Sequence, residues 1–378
     1  MSQFKKVFFE EVASIRGSLY KQSLLFYLPF LTFMIVWYIF YRGLSVDLPI
    51  VVIDQDKTPT SCTLVHNLDA TQSLAVDYKL QNFSKAQELL RTSKAYAIVV
   101  IPADFAKDVT THKDPQVVAF VNAQYILIGK LIGATLKGVM MEYNIKLHIG
   151  SEIAKQQNIQ KALAQLAPIQ INITEFFNQN GNYFYFLIIA ILPAMWQIFI
   201  TVGMIVAFGE CVKQKQCQSF FKEGVLSALL GRMLPYSVVY TLWGVLIVLS
   251  VYGVYGWEFH GAFSGVFLAV VLCVLAYESI ALLFLFGGGD YARSLSLAAV
   301  YTAPAFAFLG ITFPTLSMNA FAQFWNEALP ITHFMQLLLQ EANYGVSGAI
   351  TTQQLVALGL FDLLFVLVVA VVAVRVRR

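Results

Sequence analysis

Six long apolar runs alternate with polar stretches along the chain. Each run has about 20 residues, the number that a helix needs to cross the hydrocarbon core of a bilayer. The predicted membrane-spanning helices are Ser23–Tyr41, Tyr183–Phe208, Met233–Gly256, Ala262–Phe286, Ser294–Phe313 and Gln354–Val374. Pro29, Pro193 and Pro304 lie inside these runs, and each is expected to kink its helix.

The composition agrees with a chain that lies largely in lipid. Apolar residues make up 58% of it and charged residues 12%, against roughly 45–50% and roughly 25% in soluble domains. A water-soluble fold could not hide that much apolar surface. The net charge of +3 is too small to indicate a nucleic-acid partner. The four cysteines include no C-x-x-C pair and are too few for a disulfide scaffold.

Lysine and arginine are unevenly distributed between the predicted spans. They occur before the first span, between the second and third, between the fourth and fifth, and at the C-terminus, whereas 257–261 and 314–353 contain none. Cytoplasmic loops carry the excess of positive charge in membrane proteins. Both termini are therefore predicted to be cytoplasmic, and residues 42–182 to lie outside.

The outer segment 42–182 has the pattern of a soluble α/β domain. The predicted elements are a strand Pro49–Asp54, helices from Thr58 to Leu68 and from Ser84 to Ser93, strands Ala97–Ile101 and Gln116–Asn122, and a long helix from Gln124 toward Ala167. This order predicts a small mixed sheet with helices against it. The segment has no G-x-S-x-G turn and only scattered histidines, so we interpret it as a substrate-handling or partner-docking module.

Residues 1–22 have the spacing of an amphipathic helix. The apolar positions are Phe4, Val7, Phe8, Val12, Ile15 and Leu19, and the charged positions elsewhere are Lys5, Lys6, Glu10, Glu11 and Arg16. The pattern predicts a helix that lies against lipid in the cytoplasmic interface and leads into the first span, 23–41. The sequence leaves open whether it is a plain anchor or a lever that touches a cytosolic partner.

The predicted cytoplasmic loop 209–232 mixes aromatic and charged residues. A simple connector would be shorter and more polar. Exposed aromatics beside charges favour docking into a groove on another protein, with Phe220 or Phe221 as anchors. The docking candidates are Glu210, Phe220, Phe221, Lys222 and Glu223.

Several side chains inside the spans need an explanation. A charge near the bilayer centre costs roughly 2.5–3.5 kcal/mol on insertion scales. Glu278 and Asp362 are each either a proton-coupling carboxylate or a hydrogen-bonded structural residue. Gln197 is expected to bond between helices. An aromatic stripe in the first span either faces lipid, the favoured interpretation, or lines a path for apolar cargo; it consists of Phe26, Phe30, Phe33 and Trp37.

The chain lacks a motif for ATP hydrolysis. No G-x-x-x-x-G-K-[ST] occurs, and the glycine-rich stretch Gly129–Gly138 has its lysines in the wrong register. Without amides that cradle phosphates this chain is not expected to hydrolyse ATP itself. If ATP drives its activity, another polypeptide supplies the energy.

Five short stretches together resemble the permease subunit of a type-2 ABC exporter, in the drug/multidrug branch with a large outer domain between spans one and two. They are PIVVIDQD (49–56), YAIVVIPADFAKDV (96–109), GRMLPY (231–236), GITFP (310–314) and LPITHF (329–334). Each string is short, but their order against six spans makes the resemblance fairly specific. It covers essentially the whole chain.

The resemblance implies a set of partners. Two permease copies, identical or paralogous, would bind two cytosolic ATPase subunits that hold ATP and Mg, and this chain itself would bind no cofactor or metal. A periplasmic adaptor is a further candidate partner, and the implied location is the bacterial inner membrane. The loop 209–232 would contain the coupling helix, and 314–330 would form a re-entrant hairpin at the outer face. The expected outer-gate residues are Phe313, Pro314, Glu327 and His333.

The leading hypothesis is export of an apolar or amphipathic, drug-like or lipid-like compound, powered by the separate ATPase. The expected pathway residues are Glu278, Asp362, Gln197, Phe33 and Trp37. A proton-driven secondary transporter that uses the two carboxylates is the first alternative, although the internal repeats typical of that class are not evident. A membrane scaffold or receptor that displays the outer domain without transport is the second.

Overall fold

The structure, a computed structural model, describes residues 3–40, 45–111, 113, 115–154, 182–214, 220–221, 224–254, 258–346 and 348–377. The helices and strands are α1 (Gln3–Gly17), α2 (Leu19–Gln22), α3 (Leu28–Phe40), β1 (Leu48–Asp54), α4 (Pro59–Asp69), β2 (Leu74–Lys79), α5 (Phe83–Arg91), β3 (Ala97–Ile101), α6 (Phe105–Thr110), β4 (Val118–Val121), α7 (Ile126–Ala154), α8 (Tyr183–Lys213), α9 (Val225–Leu249), α10 (Phe263–Gly288), α11 (Tyr291–Thr302), α12 (Ala305–Phe308), α13 (Ala320–Ala328), α14 (Pro330–Leu338), α15 (Gly348–Asp362) and α16 (Leu364–Arg377).

The chain divides into two compact units. The helical unit holds Met1–Tyr41 and Phe184–Arg378, and the sheet unit holds Arg42–Tyr183. The chain therefore leaves the helical unit after its first long helix and returns to it with the second.

The sheet unit is organised around β1. The strand order is β2-β1-β3-β4, with β1 parallel to both of its neighbours and β4 antiparallel to β3. Ile50 and Val52 belong to one apolar cluster with residues of α4 and α7, whereas Val51 and Ile53 belong to another with α5. Because successive side chains of a strand point to opposite faces, this continuous apolar run is buried on both sides, as is usual for parallel strands.

The sequence interpretation of this unit missed two elements and misplaced one cap. β2 has a short mixed pattern that is buried only at Leu74, and α6 has a single turn and a half, so neither carries a clear periodic signal. Asn82 rather than Ser84 caps α5, because the Asn82 Oδ1 accepts the Ser84 N–H at 2.8 Å. The expected continuation of α7 toward Ala167 lies outside the described residues.

Tyr143 joins the long helix α7 to the start of α4. Its hydroxyl donates to the Thr60 carbonyl at 2.9 Å, and its ring stacks on Phe105 at 6.3 Å between centroids. Burial raises the pKa of Tyr143 above its ordinary value. The neutral phenol is therefore the form that the fold favours, and this contribution to stability is lost only as the pH rises through the raised pKa.

Five helical segments in the described part of the chain are long and apolar enough to cross a membrane. They are Leu19–Phe40, Tyr185–Lys213, Val225–Gly253, Phe263–Gly288 and Ile350–Arg375. Each overlaps one of the predicted spans. The high helical content and these segments are those of a membrane protein.

The predicted span Ser294–Phe313 does not form one helix, and the kink expected at Pro304 is a complete break. The chain forms α11, turns at Ala303–Pro304 and then makes only the short α12. Proline has no N–H to continue the helix, and its ring crowds the carbonyl four residues before it. Gly310 then adopts a left-handed φ of 80°, which ends the segment. Pro193 and Pro235, by contrast, lie inside continuous helices.

The prediction that Glu11 lies on the polar face of the N-terminal helix is also wrong. α1 packs against α9, and Glu11 is 1% exposed. Glu10, the preceding residue, is exposed. The buried face of α1 therefore carries a carboxylate among apolar residues such as Val7 and Ile15.

The segment expected to form short outer helices is helical and extends further than predicted. After a 3-10 turn at Thr315–Ser317 come α13, α14 and a π-turn at Leu339–Asn343. α13 is largely exposed, whereas α14 is buried and packs on α10 and α15. The helical structure thus continues beyond residue 330, the predicted end of the segment.

Glycines allow the long helices to approach closely, and Gly244 in α9 is the clearest case. A Cβ on Gly244 would lie 2.6 Å from the Trp196 ring and 2.7 Å from Val270. These contacts tie α9 to α8 and α10. Gly359 in α15 has no neighbour within 4 Å of a Cβ position, so it serves as a matched control.

Gly244→Ala is expected to destabilise the protein, because overpacking a core position typically costs about 1–3 kcal/mol. Gly359→Ala should be neutral or stabilising, since alanine is favoured over glycine in a helix by about 1 kcal/mol. The thermal unfolding midpoint of the full chain in detergent checks both. Equal midpoints for the two variants would contradict the close helix contact at Gly244.

Candidate functional site

A cleft lined by aromatic side chains lies between α3, α8 and α9. Its lining residues are Pro29, Thr32, Phe33, Leu192, Met195, Trp196, Phe199, Tyr240, Trp243 and Ile247. The cleft is shallow, with a volume of about 20 Å³, which is room for a single water molecule. In this conformation the three helices are closed on one another, and a larger molecule would have to separate them.

Backbone hydrogen bonds fix the indole rings of this cleft. The Trp196 Nε1–H donates to the Tyr240 carbonyl at 2.8 Å, and the Trp243 Nε1–H donates to the Leu25 carbonyl at 2.9 Å. Leu25 lies in the π-turn Ser23–Tyr27. A buried indole N–H normally needs a partner, so the two bonds orient rings that would otherwise be free to turn.

The predicted aromatic stripe of the first span divides into two faces. Phe26 and Phe30 are 44% and 56% exposed, as expected of rings that face lipid. Phe33 and Trp37 pack against the core and stack on each other at 5.4 Å. Of the two, Phe33 lines the cleft.

A cluster of polar side chains lies in the middle of the helical unit. Ser237 Oγ of α9 donates to Glu278 Oε2 of α10 at 2.7 Å, and Glu278 is fully buried. Glu278 Oε1, the Tyr240 hydroxyl and both carboxyl oxygens of Asp362 are buried without a hydrogen-bond partner among the described residues. The structure thus gives Glu278 one bonded and one unbonded oxygen.

Asp362 lies at a break in the last long helical segment. α15 ends at Asp362, and α16 begins at Leu364 after a turn at Leu363. Since the segment Ile350–Arg375 has the length and hydropathy of a span, the carboxyl group lies near its middle. A helix break of this kind is tolerated in lipid only where protein or a cavity surrounds it.

Gln197 holds the broken segment in place. Its Nε2 donates to the Thr302 carbonyl at 3.2 Å. This carbonyl belongs to the last residue of α11, just before the turn at Pro304. The expected interhelical bond is therefore present, and it satisfies a backbone group that the break has freed.

The aromatic residues after α8 are packed inside this chain rather than presented to a partner. Phe221 is 2% exposed and contacts Phe286 at 5.8 Å between ring centroids. Phe220 is partly buried. The prediction of Phe221 as an exposed docking anchor is therefore wrong. Glu210 is exposed, and the candidates Lys222 and Glu223 lie outside the described residues.

The Arg232 side chain continues this aromatic packing. Its guanidinium lies 3.9 Å from the Phe220 ring centroid and 5.4 Å from that of Phe208. Such cation–π contacts contribute about 0.5–2 kcal/mol. Arg232 therefore connects the start of α9 to the aromatic residues that follow α8.

The outer-gate candidates fall into a bonded pair and an exposed pair. His333 is buried, with Nδ1 at 2.9 Å from Gln354 Oε1 and Nε2 at 3.1 Å from the Glu327 carbonyl. The Glu327 carboxylate lies 3.8 Å from Nε2. Phe313 and Pro314 are exposed and lie in the irregular stretch after α12.

The sequence analysis missed two buried polar residues that follow α14. Glu341 Oε2 accepts the Ala262 N–H at the start of α10 at 3.0 Å, and Asn343 Oδ1 accepts the hydroxyls of Tyr185 and Tyr252. A Cβ on Gly261 would lie 2.4 Å from Glu341 Oε2. The glycines before α10 were the available signal, because they mark a close approach.

Within the described residues, no group of three or more His, Cys, Asp or Glu side chains is arranged to hold a metal ion.

Glu341→Ala is expected to lower the stability of the full chain, because loss of a helix N-terminal acceptor costs about 0.5–2 kcal/mol. Glu341→Gln should lower the stability less, since glutamine retains a side-chain oxygen that can accept the hydrogen bond. Glu258, whose side chain is 87% exposed, gives the matched control Glu258→Ala. Thermal unfolding in detergent measures all three, and a Glu341→Ala midpoint equal to that of the control would refute the capping role.

The comparisons with known proteins agree with this architecture. The model of the family described as "ABC-2 family transporter protein" matches residues 22–371, which include α3, the sheet unit and most of α16. The search of curated proteins found no match. Members of this family are membrane components of transporters rather than enzymes. The chain is a multi-pass membrane protein and belongs to the ABC-2 transporter permease family.

Proposed function

We propose that this chain is the permease subunit of an ATP-driven exporter in the drug/multidrug branch of its family. The observation that carries the proposal is the family match across residues 22–371. The lack of a phosphate-binding motif in the sequence supports the proposal that a separate cytosolic ATPase holds the ATP and Mg. Family membership generally implies such a partner.

The proposed topology has six crossings with both termini in the cytoplasm of a bacterial inner membrane. Five crossings are the long helical segments, and the sixth is α11 with α12, broken at Pro304. Side-chain bonds to freed carbonyls, such as that from Gln197 to Thr302, support a break inside the membrane. Under this topology the sheet unit is extracytoplasmic, where it would meet substrate or a periplasmic adaptor.

The aromatic cleft supports an apolar or amphipathic substrate. Phe33, Trp196 and Trp243 line it, and apolar walls with few polar groups are typical of small-molecule sites. The cleft of one chain has a volume of only about 20 Å³. We therefore propose that substrate passes when the helices part, in an assembly with a second permease copy or paralogue.

The coupling role is proposed for the segment after α8. Phe220, Phe221 and Arg232 pack into the helical unit, so a push on this segment would reach the spans directly. Glu210 at the end of α8 is exposed and is proposed, with Lys222 and Glu223, to contact the ATPase. At the other end, His333 and Glu327 are proposed to form the outer gate with Phe313 and Pro314.

The unbonded carboxyl oxygens of Glu278 and Asp362 favour one alternative, a proton-driven transporter. Buried ionisable groups inside a membrane are candidates for proton relays. The two functions differ in what Glu278 must do. In an ATP-driven permease it needs only to accept the Ser237 hydrogen bond, whereas in a proton-driven transporter it must bind and release a proton.

Glu278→Gln is expected to leave ATP-driven flux within about twofold of wild type, because glutamine has a similar shape and keeps an oxygen to accept from Ser237. The measurement uses inverted membrane vesicles that contain the chain and its ATPase, with a fluorescent lipophilic cation as probe. The same flux measurement on Asp362→Asn tests the second buried carboxylate. Flux that follows an imposed proton gradient and disappears in Glu278→Gln would support the alternative instead.

A further inference from the structure

Glu11 contacts three polar side chains at the junction of α1, α2 and α9. Its Oε1 accepts from Lys21 Nζ at 2.7 Å and from the Tyr236 hydroxyl at 2.9 Å. Its Oε2 lies 2.9 Å from Arg232 Nε, an ion pair whose N–H is not aligned for a hydrogen bond. The carboxylate is 1% exposed and Lys21 6%.

This arrangement gives a physical reason for three positions of the stretch GRMLPY. A Cβ on Gly231 would lie 2.9 Å from the Phe4 carbonyl and 3.1 Å from Val7, so glycine lets α1 lie against α9. Arg232 and Tyr236, one and five residues further along, both reach Glu11. The stretch is therefore a docking site for the N-terminal helix.

The bend between α1 and α2 is braced by the same group of residues. Ser18 is in an extended conformation and caps α2, so the chain turns there. Lys21 reaches back over this bend to Glu11 and to Ser14 Oγ at 2.9 Å. Gln22 Nε2 donates to the Ile15 carbonyl at 3.1 Å. These bonds hold α1 and the start of the first span at a fixed angle.

Through Arg232, the residues around Glu11 also contact the segment after α8. Arg232, which pairs with Glu11, stacks its guanidinium on the Phe220 ring at 3.9 Å. A continuous line of contacts therefore runs from Phe220 through Arg232 and Glu11 to Lys21. Buried ion pairs add little net stability, but breaking one leaves an uncompensated charge. The contacts of Glu11 with Arg232 and Lys21 are therefore costly to break.

We propose that Glu11 is the positioning residue that makes the N-terminal helix and the segment around Phe220 move as one body. A displacement of Phe220 is delivered through Arg232 and Glu11 to Lys21, where the first span begins. The first span carries Phe33 of the aromatic cleft, so the same movement opens or closes the cleft. The consequence for transport rests on the proposed function, whereas the mechanical link does not.

Hydrogen–deuterium exchange of the full chain in lipid nanodiscs tests the link without an ATPase or a substrate. Glu11→Gln removes the negative charge that pairs with Lys21 and Arg232 and leaves one oxygen acceptor where the carboxylate has two. Amide exchange should rise roughly tenfold both in Gln3–Gly17 and in the first three turns of α9, with α10 unchanged. The exposed Glu10→Gln makes the same charge change next to it and should have no effect.

A double-variant comparison tests whether Glu11 transmits a movement of Phe220 to α1 or only holds α1 against α9. Phe220→Ala should raise exchange in α1 when Glu11 is present and should add nothing in the Glu11→Gln background. If α1 responds to Phe220→Ala equally in both backgrounds, or not at all in either, Glu11 does not transmit and the proposal fails. If the wild-type protein showed no ATP-driven flux, that result would count against the proposed function but not against the mechanical link.

Tyr236→Phe provides a gentler variant if Glu11→Gln does not fold. It removes one hydrogen bond to Glu11 and no charge. It should raise exchange in α1 and reduce the response of α1 to Phe220→Ala. An α1 that exchanges as in wild type, with an unchanged response, would overturn the proposal.

Discussion

The helical unit depends on one constraint, that backbone polar groups in lipid must find partners within the protein. The chain departs from regular helix at the π-turn Ser23–Tyr27 and at Pro304. In both places a side chain from another helix bonds to a freed carbonyl. Trp243 donates to Leu25, and Gln197 donates to Thr302. Of the two, the bond from Trp243 lies at the cleft, because Trp243 is one of its lining residues.

The same bonds explain why aromatic residues dominate the proposed pathway. An indole offers a large apolar face and one donor. Trp196 and Trp243 use the donor to fix the ring, and both line the cleft. A site made this way has little polarity of its own, which suits a substrate recognised by shape and apolar surface rather than by charge.

The sequence predicted the parts of the structure that rest on local pattern. Runs of about 20 apolar residues located the five long helical segments, and β-branched runs located β1 and β3. What failed depended on contacts between distant residues. Glu11 looks like a surface residue by its spacing, but Lys21 together with Arg232 and Tyr236 of α9 makes its burial tolerable. The sequence pattern suggests that Phe221 is exposed in a charged loop, but its ring packs against those of Phe220 and Phe286.

The sequence predicted a kink at Pro304 but not that the helix would end there. The composition of Ser294–Phe313 fits a span, and proline alone does not stop one, since Pro193 and Pro235 lie in continuous helices. The difference is the set of partners: Tyr301 donates to the Ala328 carbonyl and Asn326 to the Phe308 carbonyl. Tertiary bonds of this kind have no signature in a window of local sequence.

The central claim is that this permease moves its substrate only with an ATPase partner. Flux of a fluorescent lipophilic cation into inverted vesicles measures it most directly, with the chain alone, with the ATPase added, and with a non-hydrolysable ATP analogue. Flux that requires both the ATPase and hydrolysable ATP is the predicted result. Sustained flux by the chain alone would contradict the account.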